Sequence, residues 1–354
     1  MADRYHRQTI LPQIGDAGRR KLADATAVIV GVGALGTVSA DLLCRAGVGR
    51  LILVDRDLVE LSNLQRQTLF AEADVGQPKA VAAAERLCAV NSDITIEPRP
   101  TDVTSADVAD LVTDATIVLD GTDNAETRYL LNDACVKLGV PWVYAGAVGT
   151  TGRAMGVVPG KTACLRCVFP EPPEPGTLPT CDTAGVLAMA TGVAANLQSA
   201  VALRLLTDAE AEASGSETTE SDATIPEASA SASVLHSFDV WTGSFRRVTV
   251  RRDPDCPCCG RREFPFLDAP PPESVELCGR DTIQLRLGSR LDLESLATRW
   301  ADVEGTRSAT RFLAKLKPAS SDVSLSVFAD GRVLVQGTQN ASVARATVAK
   351  YIGT

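Results

Sequence analysis

The chain has 354 residues, 45% of them hydrophobic, enough for a large buried core and more than one domain. Lysine and arginine number 35 against 44 aspartate and glutamate, and the net charge of −9 excludes the basic footprint of a nucleic-acid binder. The opening "MADRYHRQTI" has no apolar run of secretory type, so the expected compartment is the cytoplasm.

Strands and helices alternate through the first half. "ATAVIVGVG" (25–33) is a short apolar run ending in glycines, as a buried parallel strand is. "LGTVSADLLCRAGVG" (35–49) places Leu35, Val38, Leu42 and Ala46 at helical spacing, with Gly47 and Gly49 as stop signals. "RLILVD" predicts the next strand, "KAVAAAERLCAVN" a helix and "DITIEP" a strand. "ATIVLDGTDN" reads as strand and turn, "ETRYLLNDACVKLG" as helix and "PWVYAGAVG" as strand. Such alternation with short links predicts an α/β fold: a doubly wound, mostly parallel Rossmann-like sheet.

The uncharged stretch 183–203 is mostly alanine and glycine and carries Asn196 and Gln198, so it reads as a buried or interface helix rather than a membrane span. Residues 208–233 are acidic and low in complexity, and are expected to form a flexible insertion. "SFDVWTGSFRRVTVRR" then alternates like strands. The division expected is a main domain over 1–260, a proline-rich linker over 261–274 and a small α+β domain over 275–354. In the last, "VELCG", "TIQLRL" and "VSLSVFADGRVLVQG" read as strands, with a hairpin turn at Asp330-Gly331. "DLESLATRWA" and "NASVARATVAKYIG" read as helices.

Gly31, Gly33 and Gly36 form G-x-G-x-x-G between a strand and a helix, and Asp55 ends the next strand 19 residues beyond Gly36. Close backbone approach and a helix N-terminus favour phosphate, and the acid can accept hydrogen bonds from a ribose. This motif alone leaves NAD and ATP both open. Asn63 and Arg66 in "SNLQRQ", Lys79 in "GQPK" and Asp120 and Asp123 in "LDGTDN" follow strand ends, where the ligand crevice of an open α/β sheet lies. Two cations, an amide and an acid suit a triphosphate with magnesium, whereas hydride transfer needs no such set. Taken singly, Arg66 and Lys79 also read as solvated charges and Asp123 as a turn residue.

Ten cysteines in a chain of this kind argue for metal or thiol chemistry over disulfides. "CLRC" (Cys164, Cys167) and "CPCC" outline a tetrahedral thiolate zinc site. The two-residue spacing selects Cys256 and Cys259 and leaves Cys258 spare. Four thiolates leave zinc no open position, so the metal is expected to be structural. Cys181, at the start of an apolar helix, reads either as a nucleophile or as an idle thiol, and Cys278 more weakly so. Cys44, Cys88 and Cys135 fall in helical patterns and read as core.

Together "RYHRQ", "GVGALG", "LVDRDLVELSNLQRQTLF", "VGQPK", "LDGTDN", "CLRC", "TCDTAG" and "CPCCG" resemble the MoeB/ThiF adenylyltransferases over about residues 4–260. These are relatives of ubiquitin-activating enzymes that activate ubiquitin-like sulfur-carrier proteins of the ThiS or MoaD type. The tail resembles extensions on some bacterial members and lacks the look of a rhodanese domain. The resemblance implies ATP, Mg2+ and Zn2+. Asp55 would bind the ribose, and the turn Gly31, Gly33, Ala34 and Gly36 would lie beneath the nucleotide. Asn63, Arg66 and Lys79 would hold the triphosphate and Asp123 the magnesium. Cys164, Cys167, Cys256 and Cys259 would hold zinc, and Cys181 matches a cysteine that links to sulfur or carrier in parts of the family. Arg7 would be donated across a homodimer interface. The implied partners are a carrier ending in Gly-Gly and a cysteine desulfurase or rhodanese, with no nucleic acid and no membrane. The implied pathways are thiamin or molybdopterin biosynthesis. The chain departs from the family at Ala34, where many members have glycine. An NAD(P)-dependent oxidoreductase and a non-catalytic scaffold for a ubiquitin-like protein are the competing readings.

Overall fold

In the computed structural model, the residues described are 4–174, 181–207, 232–269, 274–276, 281–288 and 290–353. The insertion expected at 208–233 falls almost wholly outside them, as do Cys278 and residues 270–273 of the expected linker. The chain divides into two compact units, Met1–Pro270 and Pro271–Thr354.

In the first unit β1 (Thr26–Val30), β2 (Arg50–Val54), β3 (Thr95–Arg99), β4 (Ile117–Asp120), β5 (Trp142–Val148), β6 (Thr151–Val157), β7 (Ala232–Asp239) and β8 (Ser244–Arg251) form one sheet. Its order is β3-β2-β1-β4-β5-β6-β7-β8. Strands β3 to β5 along that order pair in parallel, and β5 through β8 pair antiparallel. Pro98 is tolerated in β3 because that strand is an edge.

The apolar runs are continuous because both faces are covered. Ile29, Leu51, Leu53, Ile117 and Leu119 face Ala40, Leu43, Ala83, Leu87 and Ala202, contributed by the helices Ala34–Ala46, Lys79–Val90 and Ala188–Thr207. The alternate residues Val28, Val30, Ile52, Val54 and Val118 face Leu111, Leu131 and Ala134, from the helices Val108–Thr113 and Ala125–Leu138. A side-chain period of two along each strand thus feeds two separate cores.

The uncharged stretch forms the helix Ala188–Thr207, and no helix among the described residues is long and apolar enough to cross a membrane. Its buried Gln198 is fully engaged. Ser39 Oγ donates to its Oε1 at 2.8 Å, and its Nε2 donates to the carbonyls of Asp120 at 2.7 Å and Val143 at 2.9 Å. The amide therefore pins this helix to the ends of β4 and β5, at a depth where an unpaired group would be costly.

Residues 261–269, part of the expected linker, belong to the first unit. The short helix Pro265–Asp268 packs on the helix Ala125–Leu138, with the Phe266 and Tyr129 ring centroids 5.2 Å apart. Segments without a sequence forecast include the helices Gly15–Asp24 and Val108–Thr113 and β6 in this unit.

The second unit is an antiparallel sheet of order β11-β12-β13-β14-β10-β9. Its strands are β9 (Ser274–Glu276), β10 (Thr282–Arg286), β11 (Gly305–Ala309), β12 (Leu313–Pro318), β13 (Ser324–Phe328) and β14 (Arg332–Gln336). The helices Leu293–Arg299 and Ala341–Tyr351 share a core with it that includes Trp300, Val327, Val333 and Val348. The β13–β14 hairpin turns at Asp330-Gly331, where Gly331 takes φ +88° and Asp330 Oδ1 accepts the Arg332 N–H at 3.0 Å.

Candidate active site

Three glycines interlock where β1, β4 and the helix Ala34–Ala46 meet. Gly31 takes φ +87°, and an added Cβ there would lie 2.6 Å from the Gly121 carbonyl oxygen. A Cβ at Gly36 or at Gly121 would overlap the Gly31 carbonyl oxygen. Gly33 is the N-cap of the helix, and the nearest group to a Cβ built there is the Gln67 amide nitrogen at 3.8 Å. The first N–H groups of the helix therefore end at an open bend, where helix polarity favours an anion.

Asp55 is buried at the end of β2 and is held by the bend itself. Its Oδ2 accepts the Val32 N–H at 2.7 Å and its Oδ1 the Asp57 N–H at 2.7 Å. Burial pushes its pKa up, and the charge of Lys79 opposes that rise. Lys79 opens the helix Lys79–Val90. Its N–H donates to the Asp57 carbonyl at 2.9 Å, and its ammonium stands 3.0 Å from the Asp57 carboxylate. Bend, Asp55, Asp57 and Lys79 are thus one continuous hydrogen-bonded run.

The stretch 61–67 folds back on itself. The buried Asn63 accepts the Glu60 N–H through Oδ1 at 3.2 Å, and its carbonyl accepts the N–H groups of Arg66 and Gln67. Half-buried Arg66 donates from its guanidinium to the Ser62 carbonyl at 3.1 Å. The fold-back lays Gln67 over Gly33, a placement that no sequence motif announced.

Beyond β4 the two acids separate. Asp120 is fully buried and saturated: Arg128 Nε donates to it at 2.7 Å, and Thr122 does so from its N–H at 2.9 Å and its hydroxyl at 2.6 Å. It is a structural residue. Asp123 is exposed, in electrostatic reach of both Arg56 and Arg128. Arg56, also unforeseen, sits among acids: burial disfavours its charge, but Asp102, Asp57, Asp123 and Asp55, in that order, raise its pKa.

Arg7 stands apart from this bend. It is exposed on the short helix His6–Thr9, where the neighbouring Gln8 Nε2 donates to the Ala46 carbonyl at 2.9 Å and the Tyr5 ring lies against Gly47. That is the C-terminal end of the helix whose N-terminus forms the bend, about 20 Å away for thirteen residues at 1.5 Å each. Neither histidine joins the bend: His6 is exposed on the same short helix, and His236 lies in β7.

On the face covered by the helix Ala125–Leu138, Cys164, Cys167, Cys256 and Cys259 bring their Sγ atoms within 4.8 Å of one another. The separations Cys167–Cys259 at 3.4 Å, Cys164–Cys256 at 3.6 Å and Cys164–Cys167 at 4.0 Å bracket the roughly 3.8 Å edge of a tetrahedral thiolate site with 2.3 Å metal–sulfur bonds. The cluster fits a metal ion. Cys258 is fully buried beside it but outside the foursome. Cys181 begins the short helix Cys181–Ala184, and its side chain lies outside the described residues.

A doubly wound sheet with an open glycine bend, a buried strand-end acid and a helix-start lysine, stapled on one face by four cysteines, defines a nucleotide-handling enzyme domain. More narrowly, the chain belongs to the ThiF family, whose model matches residues 5–258. It is 40% identical to the sulfur carrier protein ThiS adenylyltransferase of Bacillus subtilis over 361 aligned residues, 100% of both chains. It is also 40% identical to the sulfur carrier protein adenylyltransferase of Thermus thermophilus over 264 residues, 73% of this chain and 90% of that one. Among solved structures, Escherichia coli MccB with ATP superimposes with a TM-score of 0.59 at 25% identity, covering 73% of this chain and 75% of that one.

Proposed function

We propose that this chain adenylylates the C-terminal glycine of a small ubiquitin-like sulfur carrier. The observation that carries this reading is the hydrogen-bonded run from the glycine bend through Asp55 and Asp57 to Lys79. It occurs in a chain that aligns end to end with a carrier adenylyltransferase. The carrier's terminal carboxylate attacks the α-phosphorus of ATP. A carboxyl–phosphorus bond forms, the bond to the bridging oxygen breaks, and pyrophosphate leaves. The product is an acyl-adenylate, a mixed anhydride that sulfur can attack.

In this reading Asp55 holds the ribose, and Asn63, Arg66 and Lys79 hold the triphosphate over the bend formed by Gly31, Gly33, Ala34 and Gly36. Arg66 and Lys79 offset the charge that develops on the departing pyrophosphate. Asp123 would hold magnesium, whose positive charge would add to theirs. No general base is required, because a carboxylate is already ionised near neutral pH. That suits a bend with no histidine. Zinc is the ion proposed for Cys164, Cys167, Cys256 and Cys259, in a closed structural site. Arg7, remote from its own bend, is assigned to the bend of a second copy in a homodimer.

A ThiS-type carrier of the thiamin branch is the favoured substrate, because the relative aligned along the whole chain is named for ThiS. A MoaD-type carrier of the molybdopterin branch is the second reading. Cys181 is the residue proposed for any covalent sulfur or carrier link, with a desulfurase or rhodanese as sulfur donor. The test is ATP–pyrophosphate exchange, which should appear only when a carrier ending in Gly-Gly is supplied and should vanish in Arg66→Ala. Mass spectrometry of the carrier identifies the adduct, and a conjugate lost in Cys181→Ser assigns the thiol. Exchange that persists in Arg66→Ala removes the phosphate role.

A further inference from the structure

Gln67 and Gln198 are both buried glutamines, but their amides are treated differently. Gln198, with no exposed surface, has both ends of its amide bonded to protein. Gln67 is 4% exposed, and among the described residues its amide makes no hydrogen bond at either end: Oε1 is buried without a partner, and Nε2, the end that could donate to an anion, turns toward the bend. A glutamine kept only for the fold would be engaged like Gln198, because an unpaired buried amide works against stability. Its Nε2 lies 3.8 Å from a Cβ built on Gly33, the N-cap of a thirteen-residue helix. The amide therefore overhangs the point where the free N–H groups of that helix converge.

We propose that Gln67 is a nucleotide-binding residue whose amide donates to a phosphate oxygen of ATP seated on the bend. A neutral donor suits this place. It reaches over Gly33 without the long stem of Arg66 or the ammonium that Lys79 shares with Asp57. The inference deepens the adenylylation reading and rests on it.

The test compares the wild-type chain with Gln67→Met, which keeps the side-chain length and removes the amide. Affinities for ATP with magnesium and for adenosine are measured by calorimetry or competition. In Gln67→Met the affinity for ATP should fall about tenfold while that for adenosine holds, so their ratio drops. The ratio is read on folded protein, so a change in stability does not decide it. A ratio equal to that of the wild type overturns the inference and leaves the adenylylation reading intact. A wild-type chain with no affinity for ATP overturns both. Gln67→Asn, with its amide one methylene short, should lie between the two on the same ratio.

Discussion

Asn132 Nδ2 donates to the Cys258 thiol at 3.1 Å, while its Oδ1 accepts the Leu165 N–H at 3.0 Å. One buried amide on the helix Ala125–Leu138 thereby ties the "CLRC" arm to the "CPCC" arm. The extra thiol in the second arm gains a use as an acceptor rather than as a fifth ligand. Asn132→Leu conserves volume but leaves the Leu165 N–H unpaired, a cost of about 1–3 kcal/mol. We expect lower stability in denaturant titration and faster zinc release to a chromogenic chelator. Unchanged release kinetics would show that the four thiols position themselves without it.

The glycine lock gives a second prediction. A methyl at position 36 overlaps the Gly31 carbonyl, and backbone at the base of a sheet cannot move aside as a flexible side chain can. Gly36→Ala should cost about 1–3 kcal/mol and eliminate ATP-dependent stabilisation in thermal melts. Gly33→Ala meets only the Gln67 amide and should keep its stability. A Gly36→Ala chain as stable as the wild type would mean that the bend can open.

How far the sequence made this legible depended on whether a residue's partner lay near it in the chain. β1, β2 and β4 were readable because strands buried on both faces are unbroken Val, Ile and Leu runs. β11 is exposed along its length and leaves no periodic trace, while the helix Gly15–Asp24 is amphipathic but so charged, burying only Gly18 and Leu22, that it shows no apolar run. At the site, Gly31, Asp55 and Lys79 were marked by spacing. Gly121 was not, because its role is to accept the approach of Gly31 from far along the chain. Gln67 depends on the fold-back of 61–67, and a single glutamine has no period to detect.

His236 provides a pH test. Burial, with the charges of Arg247 and Arg204, lowers its pKa. The unfolded chain then binds the proton first as pH falls, so stability is whole above the ordinary histidine value of about 6.5 and declines below it, levelling off under the folded value. With only two histidines in the chain, the ring proton resonances can be assigned by mutation. NMR should find His236 titrating below the ordinary histidine value of about 6.5, and His236→Gln should flatten the decline of stability between about pH 6.5 and the folded value. A His236 that titrates at or above 6.5 would refute the desolvated setting.

The position of Arg7 leads to the test that separates action within a chain from action between chains. The helix His6–Thr9 sits against Ala46 and Gly47, with the body of the helix Ala34–Ala46 between it and its own bend. If each site takes Arg66 from one copy and Arg7 from the other, Arg7→Ala and Arg66→Ala are each inactive alone. Mixing them with subunit exchange gives heterodimers in which one site carries both lesions and the other carries neither. At random assortment half the dimers are mixed and each has one intact site, so about a quarter of wild-type exchange activity should return. No recovery despite verified subunit exchange would place Arg7 outside the reaction, or in reach of its own bend by a rearrangement of the N-terminus. Full activity in Arg7→Ala alone would remove it from phosphate handling. Recovery near one quarter requires the bend to be completed by a second copy, because no folded arrangement of a single chain supplies both arginines once each copy has lost one.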